Sequence, residues 1–216
     1  MARKNTAVLI SGRGSNMQAL LDAARNPDFP ARIVRVISNV WDAPGLKRAE
    51  AAGIATSVID HRAFNGRAAF EAALDQALRT DGIELACLAG FMRLLTADFV
   101  NGWRDRLINI HPSLLPAFPG LDTHARALAA GVRFTGCTVH FVRPTMDEGP
   151  IIVQAAVPVL YNDDEATLAA RVLAAEHKAY PLALRLVASG RAKVVDQRVQ
   201  IDGESAPEGP IFNPQP

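Results

Sequence analysis

Short apolar runs alternate with segments of helically spaced apolar residues through the first half of the chain. The runs lie at 7–10, 33–38, 55–59 and 85–89, and the periodic segments lie at 17–25, 46–52 and 68–78. Such runs predict strands and such segments predict helices. Strands with few polar positions indicate burial on both faces, as in a parallel sheet. The pattern therefore predicts an α/β fold with a mostly parallel central sheet and flanking helices.

The second half of the chain has a different pattern. A strand predicted at 107–110 is followed by a proline-containing stretch at 111–120, which predicts a functional loop. Longer strands are predicted at 137–142 and 151–159.

The C-terminal part is predicted to begin with a long helix and to end in a tail. Helical spacing runs over 165–187, and Pro181 is expected to end or kink that helix. From Gln197 onward the chain becomes polar and contains Gly and Pro, which indicates a short strand and a loose tail. The chain shows no internal repeat or linker, so we predict a single domain over 1–190 followed by a strand and tail at 191–216.

The composition excludes several classes of protein. Of 216 residues, 49% are hydrophobic and 21% are charged, which argues against a disordered or disulfide-rich chain. A balance of 23 Lys and Arg against 22 Asp and Glu predicts no nucleic acid partner. No apolar stretch approaches the ~20 residues that cross a bilayer, and no export signal is visible, so no membrane is expected. Cys87 and Cys137 lie in apolar stretches and fit reduced thiols in a cytoplasmic protein.

The first candidate site is the run Ser11-Gly12-Arg13-Gly14-Ser15-Asn16, between the first predicted strand and the first predicted helix. Glycines allow a tight turn, and the amides at a helix start attract an anion. Met17 stands where a dinucleotide fingerprint has its third glycine, and no Lys follows as in a triphosphate loop. The run favours a monophosphate, and a capped tight turn is the alternative interpretation.

The second candidate site lies where the strand at 107–110 ends. Asn109 and His111 alternate along it and therefore share one face, and Pro112 favours an extended backbone at His111. An amide and an imidazole side by side suit the stabilisation of a carbonyl oxygen that becomes negative, with proton transfer alongside. The alternative is that His111 is only a structural hydrogen-bonding residue.

A carboxylate for His111 is expected from the turn at 143–150. Asp147 is the candidate, because a nearby carboxylate fixes the tautomer of a histidine and favours its charged form. The alternative makes Asp147 a turn residue that caps backbone donors. A metal site built from His111, His124, His140 and Asp147 is a further alternative, but these residues lack close ligand spacing. We therefore expect no metal.

Four runs together resemble those of the phosphoribosylglycinamide formyltransferase family, in the formyltransferase superfamily. They are Val-Leu-Ile-Ser-Gly-Arg-Gly-Ser-Asn at 8–16, Leu-Ala-Gly-Phe-Met-Arg at 88–93, Asn-Ile-His-Pro-Ser-Leu-Leu-Pro at 109–116 and Asp-Glu-Gly-Pro at 147–150. The resemblance covers nearly the whole chain and implies a Rossmann-like formyltransferase fold. It also implies transfer of a formyl group from 10-formyltetrahydrofolate, as co-substrate, to the amine of 5-phosphoribosylglycinamide in purine biosynthesis.

The resemblance assigns roles residue by residue. It makes Asn109, His111 and Asp147 the catalytic group. It implies substrate contacts from Gly14, Ser15, Asn16 and Glu176, and folate contacts from Arg67, Met92, Arg93, Leu94, Leu95, Asn109 and Val142. The chain departs from the family at Leu173, where relatives often carry a polar or basic residue. It is expected to act on these small molecules as a monomer or homodimer.

Three rival functions remain open from the sequence. Methionyl-tRNA formyltransferases share the catalytic motif but normally add a C-terminal domain, and folate deformylases usually carry an N-terminal regulatory domain; neither addition is expected here. The third rival is a silent phosphoribosyl-binding module that keeps the glycine loop. The presence of Asn109, His111 and Asp147 together argues against a silent module.

Overall fold

The computed structural model describes residues 2–203 and 209–214. Within them the strands are β1 (Lys4–Ile10), β2 (Ala31–Ser38), β3 (Ala55–Val58), β4 (Leu85–Leu88), β5 (Leu107–His111), β6 (Phe134–Phe141), β7 (Ile151–Pro158), β8 (Ala192–Val195) and β9 (Arg198–Ile201). The helices are α1 (Ser15–Ala24), α2 (Pro44–Ala51), α3 (Arg67–Thr80), α4 (Ala97–Gly102), α5 (Thr123–Ala129) and α6 (Glu165–Ala188), with a short 3₁₀ turn at His61–Ala63.

Seven strands form one mostly parallel sheet in the order β3-β2-β1-β4-β5-β6-β7. The pairs from β3 to β5 are parallel, and β6 and β7 are added antiparallel at one end. The expected α/β class with flanking helices is therefore confirmed. The parallel strands place the loops after β1, β4 and β5 at the same edge of the sheet, which is where ligands bind in such folds.

The sheet is buried on both faces, as its apolar strands predict. In β1, Val8 and Ile10 belong to one core cluster, whereas Ala7 and Leu9 belong to the other. Helices α1 and α6 cover the first face, and α3 and α4 cover the second. On β5, Leu107 faces the second core, so Asn109 and His111 lie on that face as well, because side chains alternate along a strand.

Pro181 does not end the last long helix, so that part of the expectation is wrong. Helix α6 begins at a capping box between Asp164 and Thr167 and continues through Pro181 to Ala188. Proline removes only one helical hydrogen bond at this point, whereas Tyr180 and Leu184 on either side are fully buried. The free energy gained by burying these side chains outweighs the loss of one hydrogen bond at Pro181. Helices α4 and α5 were not predicted, since each has fewer than eight residues.

After α6 the chain forms a hairpin rather than the single expected strand. Strands β8 and β9 pair antiparallel with each other, and Ala192 joins the core beneath α6. Part of the predicted tail, at 204–208 and 215–216, lies outside the described residues. In the segments 2–203 and 209–214, no helix is both long and apolar enough to span a membrane.

Candidate active site

The glycine-rich loop after β1 has the geometry of an anion site. Gly14 is the N-terminal cap of α1, in the left-handed region with φ 71°, and no side chain caps the helix there. A Cβ on Gly14 would lie 2.9 Å from the Cα of Gly45, which starts α2 beside the loop. Gly45 also donates its N–H to the carbonyl of Gly12. The backbone amides at the start of α1 are therefore left for a ligand.

Asn16 and Glu176 meet across two helices that are far apart in sequence. Asn16 Nδ2 donates to Glu176 Oε2 at 2.7 Å, and Oδ1 of Asn16 is buried without a hydrogen-bond partner among the described residues. Burial raises the pKa of Glu176, and the hydrogen bond from Asn16 opposes that rise. Ser15 is half-buried beside them on α1. The sequence-predicted substrate contacts thus form one cluster at the start of α1.

Asn109 is oriented by a histidine of the neighbouring antiparallel strand. His140 pairs with Asn109 in the register of β5 and β6, and their side chains meet with Asn109 Nδ2 3.3 Å from His140 Nε2. His140 Nδ1 donates to the carbonyl of Phe141, and burial lowers the pKa of His140. A neutral ring protonated at Nδ1 accepts at Nε2. One N–H of the Asn109 amide is thereby used, and the other is left for a ligand.

His111 is held between a backbone carbonyl and a carboxylate. Its Nε2 donates to the carbonyl of Phe118 at 2.9 Å, and its Nδ1 lies 3.5 Å from Asp147 Oδ2. The His111 side chain is 7% exposed and that of Asp147 is 8% exposed, so water screens the pair weakly. If both nitrogens of the His111 ring carry a proton, the Phe118 carbonyl accepts one and the Asp147 carboxylate accepts the other. Because Phe118 uses Nε2, Nδ1 is the nitrogen through which His111 can move a proton.

The loop that carries Asp147 is shaped by its backbone. Asp147 adopts φ 60°, which aspartate tolerates better than most residues, and its Oδ2 accepts the N–H of Gly120 at 2.9 Å. Two residues later, a Cβ on Gly149 would lie 1.6 Å from the carbonyl oxygen of Phe141. Only glycine fits there. The loop therefore lies tightly against β6, and Asp147 is brought to both His111 and His140.

The segment after β4 lies beside Asn109 at the edge of the sheet, because Leu88 pairs with Asn109 in the register of β4 and β5. Met92 is 68% exposed and Leu94 is 60% exposed, and the segment has no regular structure. Arg93 and Leu95 are half-buried in the same segment. Val142 follows β6, the neighbour of β5 on its other side, and packs against the core cluster of the second sheet face.

Arg67, the remaining predicted folate contact, is the first residue of α3. It is exposed to solvent and forms no ion pair within the described part of the chain. Its position leaves the guanidinium available to an anion.

Leu173, where this chain departs from the family pattern, is half-buried on α6 one turn before Glu176.

Metal and thiol chemistry find no support in the described ranges. No group of three or more His, Cys, Asp or Glu residues there is placed to hold a metal ion. Burial raises the pKa of Cys87 and of Cys137 to about 12, which makes both thiols inert. A cavity of about 450 Å³ lies at the opposite edge of the sheet, beside Lys4 and Arg106, and contains none of the candidate site residues.

Sequence reasoning missed two partners of the catalytic candidates. His140 orients Asn109, and the carbonyl of Phe118 holds His111. The partnership with His140 depends on the antiparallel pairing of β5 and β6, which apolar periodicity does not predict. The Phe118 carbonyl belongs to the proline-containing loop at 111–120, and the sequence pattern that predicts a functional loop there does not predict this hydrogen bond.

Comparison with known proteins identifies the family. The formyl transferase family matches residues 4–184. Phosphoribosylglycinamide formyltransferase of Escherichia coli (strain K12) is 44% identical over 203 residues, covering 94% of this chain and 96% of that protein. The trifunctional purine biosynthetic protein adenosine-3 of Homo sapiens is 52% identical over 192 residues, or 89% of this chain. The chain spans only 19% of the length of that longer relative.

A solved structure supports the same assignment. Glycinamide ribonucleotide transformylase 1 from Symbiobacterium toebii superposes with a TM-score of 0.90 at 50% identity, covering 92% of this chain and 94% of that one. The expected fold and the resemblance drawn from the four sequence runs are both confirmed. The chain therefore belongs to the formyl transferase family, among the phosphoribosylglycinamide formyltransferases.

Proposed function

We propose that this chain transfers the formyl group of 10-formyltetrahydrofolate to the amine of 5-phosphoribosylglycinamide. The observation that carries the proposal is that Asn109, His111 and Asp147 lie together at the edge of the sheet where the exposed Met92 and Leu94 follow β4. The loop at Gly14 supplies an anion site on the same edge of the sheet. A hydrogen-bonding group, a proton carrier and a phosphate site are what a direct transfer to a phosphorylated amine requires.

The acceptor's phosphate is assigned to the amides of Gly14, Ser15 and Asn16. This assignment is supported by the start of α1, which no side chain caps and where amide donors and the helix dipole favour a negative charge. The ribose is assigned to Asn16 and Glu176. Glu176 Oε1 and the buried Oδ1 of Asn16 are acceptors that fit sugar hydroxyl groups, because neither is used by another described residue.

The donor's pterin is assigned to the cleft between the segment Met92, Arg93, Leu94 and Leu95 and the wall at Val142. Exposed apolar side chains on one lip and polar Asn109 at the base suit a flat heteroaromatic ring with polar edges. Arg67 is assigned to the anionic end of the folate, because it is an exposed cation at the start of α3.

The reaction is a direct transfer between two nitrogen atoms. The acceptor amine attacks the formyl carbon, a new carbon–nitrogen bond forms, and negative charge develops on the formyl oxygen. The second N–H of Asn109 and a proton on His111 Nδ1 stabilise that charge. The bond from the formyl carbon to the folate nitrogen then breaks. The proton lost by the attacking amine passes to the leaving folate nitrogen through His111 or a water molecule ordered by Asp147.

This chemistry uses only groups of the chain and its two small-molecule substrates. We propose that no metal, nucleic acid or membrane takes part and that the chain works as a monomer or homodimer. The segment 1–190 contains every residue assigned a role, so we propose that it is the catalytic domain and that the hairpin and tail are accessory.

A transfer assay with competing acceptors tests the proposal. Purified chain is incubated with 10-formyltetrahydrofolate and one of three acceptors: 5-phosphoribosylglycinamide, methionyl-tRNA or water alone. We expect formylated ribonucleotide and tetrahydrofolate in equal amounts, detected by mass spectrometry. Formylation of the tRNA would favour the first rival function, and release of formate without acceptor would favour a deformylase. Binding of the ribonucleotide without turnover would favour a silent module.

A further inference from the structure

The pocket-lining segment 92–95 is fixed at both ends by side chains of other elements. At its start, Met92 donates its N–H to Ser11 Oγ at 2.8 Å. At its end, Thr96 donates its N–H to Glu71 Oε1 at 2.8 Å and its hydroxyl to the other carboxylate oxygen. The segment itself has no regular structure and its side chains are largely exposed. Its shape is therefore set mainly by these two anchors.

The Ser11 anchor belongs to the element that carries the proposed phosphate loop. Ser11 follows β1 directly and precedes the glycines. Its hydroxyl donates to Asn39 Oδ1 at 2.5 Å while accepting from Met92, and its own N–H donates to Gly90. Asn39 is 3% exposed, and its Nδ2 lies 3.2 Å from His61 Nδ1. The hydroxyl of Ser11 thus has one fixed orientation within a buried chain of hydrogen bonds.

The Glu71 anchor belongs to the element that carries Arg67. The two residues are four positions apart on α3 and therefore lie on the same side of the helix, one turn from each other. Glu71 is 4% exposed and has no cationic partner within residues 2–203 and 209–214. Burying a carboxyl group whose hydrogen bonds all go to a single residue costs more free energy than burying an apolar side chain. Such a group is poorly explained by packing alone, since an apolar side chain would fill the space at lower cost.

We propose that Ser11 and Glu71 are positioning residues that set the segment 92–95 between the two substrate sites. Ser11 fixes the distance from the donor pocket to the phosphate loop, and Glu71 fixes the distance from that pocket to Arg67. The inference rests on the proposed function. The two anchors should therefore have different kinetic effects. Loss of the Ser11 anchor misplaces the two bound substrates relative to each other and slows the chemical step. Loss of the Glu71 anchor misplaces two parts of the folate pocket and weakens folate binding.

The Ser11 anchor is tested by Ser11→Ala, with Ser189→Ala as the matched control. Ser189 also uses a half-buried hydroxyl to bind a carbonyl, at the far end of α6. We expect Ser11→Ala to lower kcat about tenfold, while the dissociation constants of the two substrates, measured separately by calorimetry, each change less than about threefold. Ser11→Cys, with a weaker acceptor of similar size, should give an intermediate kcat. The control should keep its kcat at a similar melting temperature.

The Glu71 anchor is tested by Glu71→Gln, with Glu84→Gln as the matched control. Glu84 also accepts a backbone N–H, from Asn5, and a side-chain donor, but at the opposite edge of the sheet. We expect Glu71→Gln to raise the dissociation constant of the folate about tenfold and to leave that of the ribonucleotide unchanged. Glu84→Gln should change neither constant.

The outcomes separate this inference from the proposed function. Failure of the unaltered chain to bind either substrate would refute the proposed function itself. If the unaltered chain binds and turns over both substrates, three results would overturn the inference. These are an unchanged kcat in Ser11→Ala, equal weakening of both ligands in Glu71→Gln, and effects in either variant no larger than those of its matched control.

Discussion

At the scale of single residues, the chemistry of the site depends on which hydrogen-bonding atoms already have a partner. Nε2 of His111 is taken by the carbonyl of Phe118, and Nε2 of His140 is taken by Asn109. These two contacts leave Nδ1 of His111 and the second N–H of Asn109 for other partners. The carboxylate of Asp147 then lies at the only remaining reactive nitrogen of His111.

This arrangement predicts that His111 and Asp147 act as one unit. His111→Asn and Asp147→Asn should each lower kcat about a hundredfold or more, the usual scale of acid–base and electrostatic effects. Because each residue depends on the other, the double variant should be little worse than the poorer single variant. Steady-state kinetics of all four proteins measure this, with Asp28→Asn at an exposed position as the control. Losses that multiply would show independent roles.

Gly14 leads to a second prediction at this scale. A side chain there would meet Gly45 and would strain a backbone at φ 71°, so Gly14→Val should displace the amides at the start of α1. We expect the KM for the ribonucleotide to rise about tenfold or more, while the KM for the folate changes little. Gly53→Val is the control, because Gly53 has φ +75° but open space around it and lies away from the site. An equal rise in both constants would contradict the assignment of the loop.

At the scale of elements, periodicity predicted the first seven strands and the long helices well, and three physical effects limited the rest. Helical spacing over 165–187 agrees with α6, but the helix does not end at Pro181, because burial of Tyr180 and Leu184 outweighs the local effect of that proline. The short helix α4 was missed because a helix of this length shows no full period. The antiparallel addition of β6 was missed because pairing partners are distant in sequence, and His140 was missed with it.

The stability of the protein should depend on pH in opposite ways through two glutamates, Glu176 between α1 and α6 and Glu84 beside β1. Burial raises the pKa of Glu176 above that of the unfolded chain, so its ionisation costs stability as pH rises. Glu176→Gln should therefore match the unaltered chain near pH 4 and become more stable than it towards pH 7, while binding the ribonucleotide more weakly. The pKa of Glu84 is lowered, first by the N–H of Asn5, so its charge adds stability above its ordinary pKa.

The same measurement on Glu84→Gln is the control. That variant should match the unaltered chain at low pH and be less stable than it at neutral pH. Urea unfolding at several pH values gives the free energy of unfolding of all three proteins. A Glu176→Gln variant that loses stability on approach to neutral pH would mean that a cationic group or additional hydrogen bonds stabilise the Glu176 charge.

At the scale of the whole molecule, the candidate site gathers residues from six separate parts of the chain, one of them the start of α3 with Arg67. The loops after β1, β4 and β5 meet because parallel strands share their carboxyl edge, and this much was predictable from the sequence. Asp147 and Glu176 come from later elements whose placement depends on the antiparallel strands and on α6. Their roles were inferred from the resemblance to a family, because local pattern alone could not distinguish Asp147 from an ordinary turn residue.

The collected site predicts catalysis without a metal ion. The described residues include no cluster of three metal-ligating groups, and Asn109 and His111 suffice to stabilise the developing charge. Formyl transfer should therefore proceed at an unchanged rate after dialysis against EDTA. The rate is measured before and after dialysis, and again after adding back divalent cations. A loss that a divalent ion restores would refute the metal-free mechanism.

The C-terminal hairpin allows a test of the domain boundary. Ala192 is buried, and Val194, Val199 and Ile201 pack partly buried against the core cluster that includes α6. None of these four residues is assigned a role in the reaction, and β8 and β9 follow the C-terminal end of α6, beyond Ala188.

A chain shortened to residues 1–190 should accordingly keep its kcat and lose stability. Half-burial of three aliphatic side chains contributes about 2–4 kcal/mol before the entropy of ordering the hairpin is subtracted, so we expect the free energy of unfolding to fall by less than that. Urea unfolding of the shortened and complete chains measures the loss, and Val199→Ser in the complete chain should reproduce a part of it. If the shortened chain does not fold, the hairpin is integral to the catalytic domain and the boundary at 190 is misplaced. If stability is unchanged, the packing of β8 and β9 on the core contributes nothing to it.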